Sequence, residues 1–189
     1  MSKIILGMTV SLDGFINDAK ASVSPLYSDF KELTKSKNFK KLQKTTGAVV
    51  MGRKSFNMAK DPDSFADSYE FQVPLFIITH HPLKKHPKEN KQLTIKFVEG
   101  DLKNVIKEAK KAAGTKDVQV IGGAKIAQAC LNEGLIDELH VDVMPVLLGK
   151  GIKLFSNINI ESIKLTKIDA FNFNVKRVSL KYKVMRLKK

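Results

Sequence analysis

With a single cysteine, no tryptophan and three tyrosines in 189 residues, the sequence excludes several classes of protein at once. Cys130 has no second cysteine to pair with, so an internal disulfide framework is ruled out and nothing asks for an oxidising compartment. No run of 18 apolar residues occurs, which excludes a transmembrane helix. The opening apolar stretch, Ile4 to Val10, meets Ser11-Leu12-Asp13 too soon to be a signal-peptide core. A cytoplasmic protein, indifferent to reductant, is expected. The four histidines, His80, His81, His86 and His140, show no ligand spacing and no cysteine cluster joins them, so no metal site is expected. There is no Gly-x-Ser-x-Gly elbow, no Walker loop and no Gly-x-Gly-x-x-Gly fingerprint.

Acidic residues are also scarce, 19 against 33 basic ones, giving a net charge of +14. The excess sits mainly in residues 31–60, 84–116 and 161–189. A basic field of this size attracts nucleic acid or a small anion. The excess is mostly lysine, without the interleaved aromatic rings on which bases stack. An anionic small ligand therefore fits it better, and neither a nucleic acid nor a membrane is expected as partner.

The remaining composition, 43% hydrophobic and 28% charged, is that of an ordinary globular chain. The length predicts one domain spanning residues 1–189. Lys3–Val10, Gly47–Met51, Val73–Thr79 and Asp117–Ile121 read as strands with almost no polar face, the mark of a buried parallel sheet. His80-His81-Pro82 ends the third of these. Between them, Pro25–Lys44, Asp101–Ala113 and Ala124–Asn132 carry apolar residues at helical spacing. Asp101 is placed as an N-cap and Gly114 as a stop. A short helix opens at Arg53, and Asp61-Pro62-Asp63 breaks it. The final third changes character. Glu138–Val143 alternates, with Leu139, Val141 and Val143 on one face and His140 and Asp142 on the other. Ile160–Phe171 and Val175–Leu187 follow as long strands joined near Asn172-Phe173-Asn174. The expected fold is an α/β sandwich whose mainly parallel sheet is finished by an antiparallel C-terminal hairpin.

Two strand-to-helix turns have the chemistry of a phosphate cradle. In Ile121-Gly122-Gly123-Ala124-Lys125, paired glycines let the backbone approach a ligand, and the free N–H groups of a helix start face an anion. In Met51-Gly52-Arg53-Lys54-Ser55 a helix start adds two cations and a hydroxyl. Two such turns in one α/β chain point to a ligand with more than one phosphate, such as a dinucleotide. Asp13 follows the first buried strand, where α/β sheets place ligands, and either reacts there or only shapes the turn. Asp29 and Glu32 stand at the start of the first long helix, as helix-end charges or as site groups.

Taken in order, Ser11-Leu12-Asp13-Gly14-Phe15-Ile16, Val49-Val50-Met51-Gly52-Arg53-Lys54-Ser55-Phe56, Phe76-Ile77-Ile78-Thr79, Val120-Ile121-Gly122-Gly123-Ala124, Asp137-Glu138-Leu139-His140-Val141 and Pro145-Val146-Leu147-Leu148-Gly149-Lys150-Gly151 resemble the dihydrofolate reductase-like superfamily. The branch is that of the riboflavin-biosynthesis reductase C-terminal domain and its stand-alone bacterial relatives. The resemblance implies a three-layer sandwich and NADPH as hydride donor to a small heterocyclic or carbonyl substrate. It implies that Arg53 meets the cofactor 2′-phosphate, that Gly52, Lys54 and Ser55 meet the pyrophosphate, and that Thr79 and His80 line the adenine side. Ile121, Gly122, Gly123, Ala124 and Lys125 would pass beneath the pyrophosphate. Asp13 or Asp29 would supply a proton, Asp13 being the first choice, and a homodimer is implied. This chain lacks the tryptophan that follows the first strand in folate enzymes, has Ala124 and Ala127 where those carry glycine and tyrosine, and carries no deaminase domain; its substrate is left open. The alternative reading is a catalytically silent protein that holds a nucleotide or nucleic acid on the same fold.

Overall fold

The structure, a computed structural model, describes residues 2–81, 83–172 and 176–187. Pro82 and the expected strand join at Phe173-Asn174 lie outside these described residues. Eight strands, β1 (Ile4–Ser11), β2 (Thr46–Gly52), β3 (Leu75–Ile78), β4 (Ile95–Val98), β5 (Asp117–Val120), β6 (Glu138–Met144), β7 (Ile163–Asn172) and β8 (Val178–Arg186), form one sheet in the order β4-β3-β2-β5-β1-β6-β8-β7. The first six run parallel. β8 pairs antiparallel with β6, and β7 with β8, as the change of pattern near residue 138 predicts.

Strands apolar on both faces need cover on both sides, and among the described residues six helices provide it: α1 (Phe30–Lys35), α2 (Lys37–Thr45), α3 (Arg53–Phe56), α4 (Ser64–Ser68), α5 (Leu102–Ala113) and α6 (Ala124–Asn132). Strand alternation sorts the core into two layers. Leu6, Val50, Phe76, Val118 and Val120 pack against Val105, Ile106 and Ala109 of α5 and Ala127, Cys130 and Leu131 of α6. Val49, Met51, Leu75 and Ile77 pack on the other face against Leu33, Phe39, Phe56 and Phe65 from α1 to α4. Burial in the first layer pushes the Cys130 thiol up to about 12, an inert core group.

Two sequence expectations need correction. Residues 25–44 do not form one helix. The chain makes a 3-10 turn at Ser24–Tyr27, then α1, then α2. Ser36 interrupts it with extended dihedrals (φ −65°, ψ 147°), and its hydroxyl accepts the Phe39 N–H to cap α2. The first strand of the C-terminal pair begins at Ile163, after a 3-10 turn at Ile160–Ser162. Asp101 does occupy the N-cap position of α5, without a side-chain cap bond, and Gly114 ends that helix at φ +62°.

Topology determines where a ligand fits. After β2 the chain steps outward to β3 and β4, whereas after β5 it crosses to β6 on the other side of β1. β2 and β5 are neighbours, so their two continuations diverge and leave a crevice beyond their C-terminal ends. That is the position at which open α/β sheets bind ligands.

Arg177, just ahead of β8, ties the C-terminal ribbon to the first half of the chain. Its side chain is 1% exposed. Nε donates to Asp29 Oδ2 (3.0 Å) and the Nη2 group to Asp29 Oδ1. Nη1 donates to Thr9 Oγ1 (3.1 Å) and Asp142 Oδ2 (3.3 Å), and Nη2 to the Leu26 carbonyl (3.2 Å). Burial alone would raise the Asp29 carboxyl; the Arg177 hydrogen bonds and charge outweigh it and hold Asp29 below its usual range. Removing the cation strands a buried carboxylate. Arg177→Met is therefore expected to destabilise the fold by roughly 3–5 kcal/mol, read from the urea midpoint, and Asp29→Asn in the same chain is expected to restore part of it. In the parent chain, the Asp29 contribution is present above its unfolded value and is lost as pH falls through its depressed folded value. In Arg177→Met the sign reverses, and stability falls as pH rises above about 4. Equal stability of parent and Arg177→Met across that range would contradict the pairing.

Candidate active site

The face of the sheet that carries α1 to α4 is sealed by aromatic and aliphatic side chains only over β2, β3 and β4. Over β5, β1, β6 and β8 the same face presents Gln119, Gly7, Thr9, His140, Asp142, Ser179 and Lys181. Polar groups there border a cleft of about 130 Å³, walled on the other side by Tyr27, Phe30, Phe39, Glu70 and Phe71. Ile121 lines its end and leads directly into the glycine turn. The cleft and the crevice beyond β2 and β5 thus adjoin.

In that crevice the two turns meet. Gly52 N–H donates to the Gly122 carbonyl (3.1 Å), and Ile121 N–H to the Val50 carbonyl (2.9 Å). Gly122 has φ +63°, and the Gly122–Gly123 peptide is cis. A Cβ at Gly122 would stand 2.5 Å from Ser55 Oγ, so only glycine allows this approach; at Gly123 the distance is 3.6 Å, an ordinary contact that a Cβ can make. Gly123 is the N-cap residue of α6, whose first N–H groups lack intrahelical acceptors and face outward as anion donors. Lys54 and Lys125 are exposed at the rim.

Arg53 is held by neutral groups: Nε donates to Asn57 Oδ1 (2.8 Å), Nη1 to the His81 carbonyl, and the guanidinium lies 5.6 Å from the Phe97 ring centre. Among the described residues no carboxylate forms a salt bridge with it. Thr79 Oγ1 bonds both the N–H and the carbonyl of His81, so Thr79 and Arg53 fix the same turn. His80 is directed to Glu99 (2.8 Å) and stays exposed. The structure therefore brings Gly52, Arg53, Ser55, Ile121, Gly122, Gly123 and Ala124 together, adds Thr79 through His81, and leaves His80 engaged elsewhere.

The two carboxylates expected as proton donors are both committed. Asp13 accepts Ser11 Oγ–H (2.6 Å), Leu148 N–H (3.1 Å) and Gly149 N–H (2.8 Å). The Ser11 hydroxyl and the Gly149 amide bring it down to about 2. It pins the turn after β1 to the loop after β6. Asp29 holds Arg177. Both carboxyls are held below their usual range. Glu70, a carboxyl that also borders the cleft, is shifted the other way: burial raises its pKa. Sequence reading passed over Glu70, Arg177 and Gln119. The last had a visible signal, a lone amide inside the otherwise apolar Val118–Ile121 run. His140 Nε2 lies 2.9 Å from Glu138 Oε2, yet burial holds its pKa below the usual value. Among the described residues no group of three His, Cys, Asp or Glu side chains is placed to hold a metal ion, and no helix is long and apolar enough to cross a membrane.

The family model of the RibD C-terminal domain matches residues 2–176. An uncharacterised protein of Bacillus subtilis (strain 168), YyaP, is 27% identical over 191 residues, which is 95% of this chain and 94% of that protein. A protein of Shewanella sp. PV-4 named for riboflavin biosynthesis has the same fold (TM-score 0.73, 24% identity, 97% of this chain and 99% of that one). So does the riboflavin biosynthesis reductase Rib7 of Saccharomyces cerevisiae (TM-score 0.59, 16% identity, 97% and 89%).

A Cβ at Gly123 meets nothing of the protein closer than Ser55 Oγ at 3.6 Å, so Gly123→Val places a side chain where a bound phosphate would meet the backbone. The variant is expected to keep its melting temperature within a few degrees and to lose NADPH binding, followed by fluorescence titration. Unchanged affinity in the folded variant removes this turn from the site.

Proposed function

Because this chain belongs to the RibD C-terminal domain family, we propose that it is an NADPH-dependent reductase of a small heterocyclic or carbonyl substrate. The observation that carries the reading is the pair of turns at the sheet's switch point. One glycine is closed on Ser55 and the next, at the start of α6, has room for no more than an ordinary contact with it, and this cradle runs through Ile121 into a polar cleft. The residues fit the cofactor. Backbone N–H groups at Gly123 and Ala124, with Ser55, would take the pyrophosphate, and Arg53, unneutralised and preset by Asn57 and the His81 carbonyl, would take the 2′-phosphate. When bound, the cofactor supplies the hydride.

The chain's own task is to align the substrate, exclude water and deliver a proton. The floor made by Gly7, Thr9 and Gln119 and the wall made by Phe30 and Phe39 serve the first two. Glu70 serves the third: a carboxyl raised by burial holds a proton closer to neutrality than a solvated one. Asp13 keeps its place as a positioning group for the loops that follow β1 and β6. On this reading Glu70→Gln lowers kcat by about 10²-fold or more and removes a titrating limb from its pH profile. An unaltered profile would return proton delivery to solvent.

A homodimer belongs to the same proposal. Leu12, Phe155, Ile160 and Leu165, all at least 44% exposed, surround an apolar hollow of about 450 Å³ on the opposite face of the sheet. A patch of this kind is covered in a stable assembly. Light scattering is expected to give twice the 21.1 kDa chain mass at micromolar concentration, and a single-chain mass there refutes it.

Cofactor choice tests the central claim. A charge-assisted contact of Arg53 with a phosphate is worth roughly 1.5–3 kcal/mol, which is about a tenfold to hundredfold preference. Arg53→Ala is expected to weaken NADPH by that factor and leave NADH nearly unchanged, since only NADPH carries the extra phosphate. Equal loss for both, or for neither, in a fluorescence titration would refute the assignment.

A further inference from the structure

β5 is the central strand of the sheet, and its side chains divide cleanly. Val118 and Val120 enter the layer under α5 and α6. Gln119 points the other way, into the cleft, and is 1% exposed. Its Nε2 is buried and has no hydrogen-bond partner among the described residues. Buried amide donors in folded proteins are paired almost without exception, because an unmade bond carries a desolvation penalty that a leucine in the same place would avoid. The neighbouring strand position is open as well. Ile5 is the β1 residue in register with Gln119, and two residues further along β1 stands Gly7, on the cleft face. A Cβ on Gly7 would lie 3.2 Å from Gln119 Oε1, so the glycine keeps the space over the amide free. An unpaired donor and a vacant position beside it, on the floor of a cleft walled by Phe30 and Phe39, fit a flat ligand with an acceptor on its edge.

We propose that Gln119 is the specificity-determining residue of the cleft: its Nε2 donates to an oxo oxygen of the substrate ring, which lies over Gly7. The inference rests on the reductase reading for the word substrate, but the contact itself does not need turnover. Its selectivity has a direct physical source. A ligand without the oxygen leaves the amide unpaired in the complex, whereas one with it makes the bond that the free protein lacks.

The test uses 2-pyridone and pyridine as probes, flat rings that differ by the oxo group, followed by ¹H–¹⁵N spectra of the intact chain. The Gln119 side-chain amide is assigned by its loss in Gln119→Leu. Saturable movement of that resonance by 2-pyridone, at least tenfold tighter binding than pyridine, and loss of the preference in Gln119→Leu are expected. Gly7→Ala, which fills the space and leaves the amide in place, is expected to weaken 2-pyridone in the same way. Gln119→Leu is expected to melt no lower than the parent; a lower melting temperature with the pyridone preference retained would mark Gln119 as a structural residue and overturn the proposal. Equal binding of the two probes, binding of neither, or an unchanged preference in the leucine variant overturns it also. NADPH titration of the same samples separates the two readings. A cofactor affinity that falls with Gln119→Leu assigns the amide to the cofactor and refutes the substrate contact. If the parent chain binds 2-pyridone through Gln119 but never NADPH, the contact stands and the reductase reading fails.

Discussion

A guanidinium with no access to water has to find an acceptor for every N–H it carries, and Arg177 finds them in four separate parts of the chain. Asp29 comes from the approach to α1, the Leu26 carbonyl from the 3-10 turn before it, Thr9 from β1 and Asp142 from β6. Arg177 itself leads into β8. The group therefore sets the distance between the C-terminal ribbon, the sheet centre and the helical wall. Those are the sides of the cleft, so the cleft's width follows from one satisfied ion. A buried pair of this kind is weak evidence for stability in itself; here its consequence is geometric.

The crevice beyond β2 and β5 works by a different means. Its donors are backbone N–H groups, its shape comes from two glycines, and its one fixed cation is Arg53. The cleft relies on side chains from four strands. On the proposed reading, the division separates recognition of a common phosphate-bearing ligand, which main chain can do, from recognition of a particular ring, which it cannot. Ile121 lines the cleft and leads into the glycine turn of the crevice.

Much of this was legible in the sequence. The parallel strands announced themselves as unbroken apolar runs, and α5 and α6 were bounded to within a residue by Asp101, Gly114 and Gly123. Both phosphate turns were visible because glycine at a strand-to-helix junction has few other uses. The break at Ser36 was not seen: the apolar residues keep helical spacing across it, and a serine in a lysine-rich stretch reads as surface until its cap bond to Phe39 is known. α4 is only five residues long and lay behind a Pro-containing breaker. Arg177 was one of nine basic residues in the last stretch, and its carboxylate partner lies 148 positions away; arginine is so seldom fully buried that no local pattern singles it out. For Asp13 the sequence leaves a reacting group and a loop fastener both open, and the bonds it accepts from the amides of Leu148 and Gly149, 135 and 136 positions away, have no local signal.

Strand alternation at the sheet centre also bears on how such a protein can diverge. Along β1, Leu6 and Val10 are core while Gly7 and Thr9 face the cleft; along β5, Val118 and Val120 are core while Gln119 faces it. On the proposed reading, Gly7 and Gln119, which choose the ligand, alternate with core residues that keep the chain folded and point the opposite way, while Thr9, which holds Arg177, belongs to both groups. A mutation at the cleft positions trades one ligand for another with little effect on the hydrophobic layer, and drift within the layer leaves the ligand preference alone. Lineages built on this sheet are thus free to explore new chemistry one codon at a time without first losing the fold.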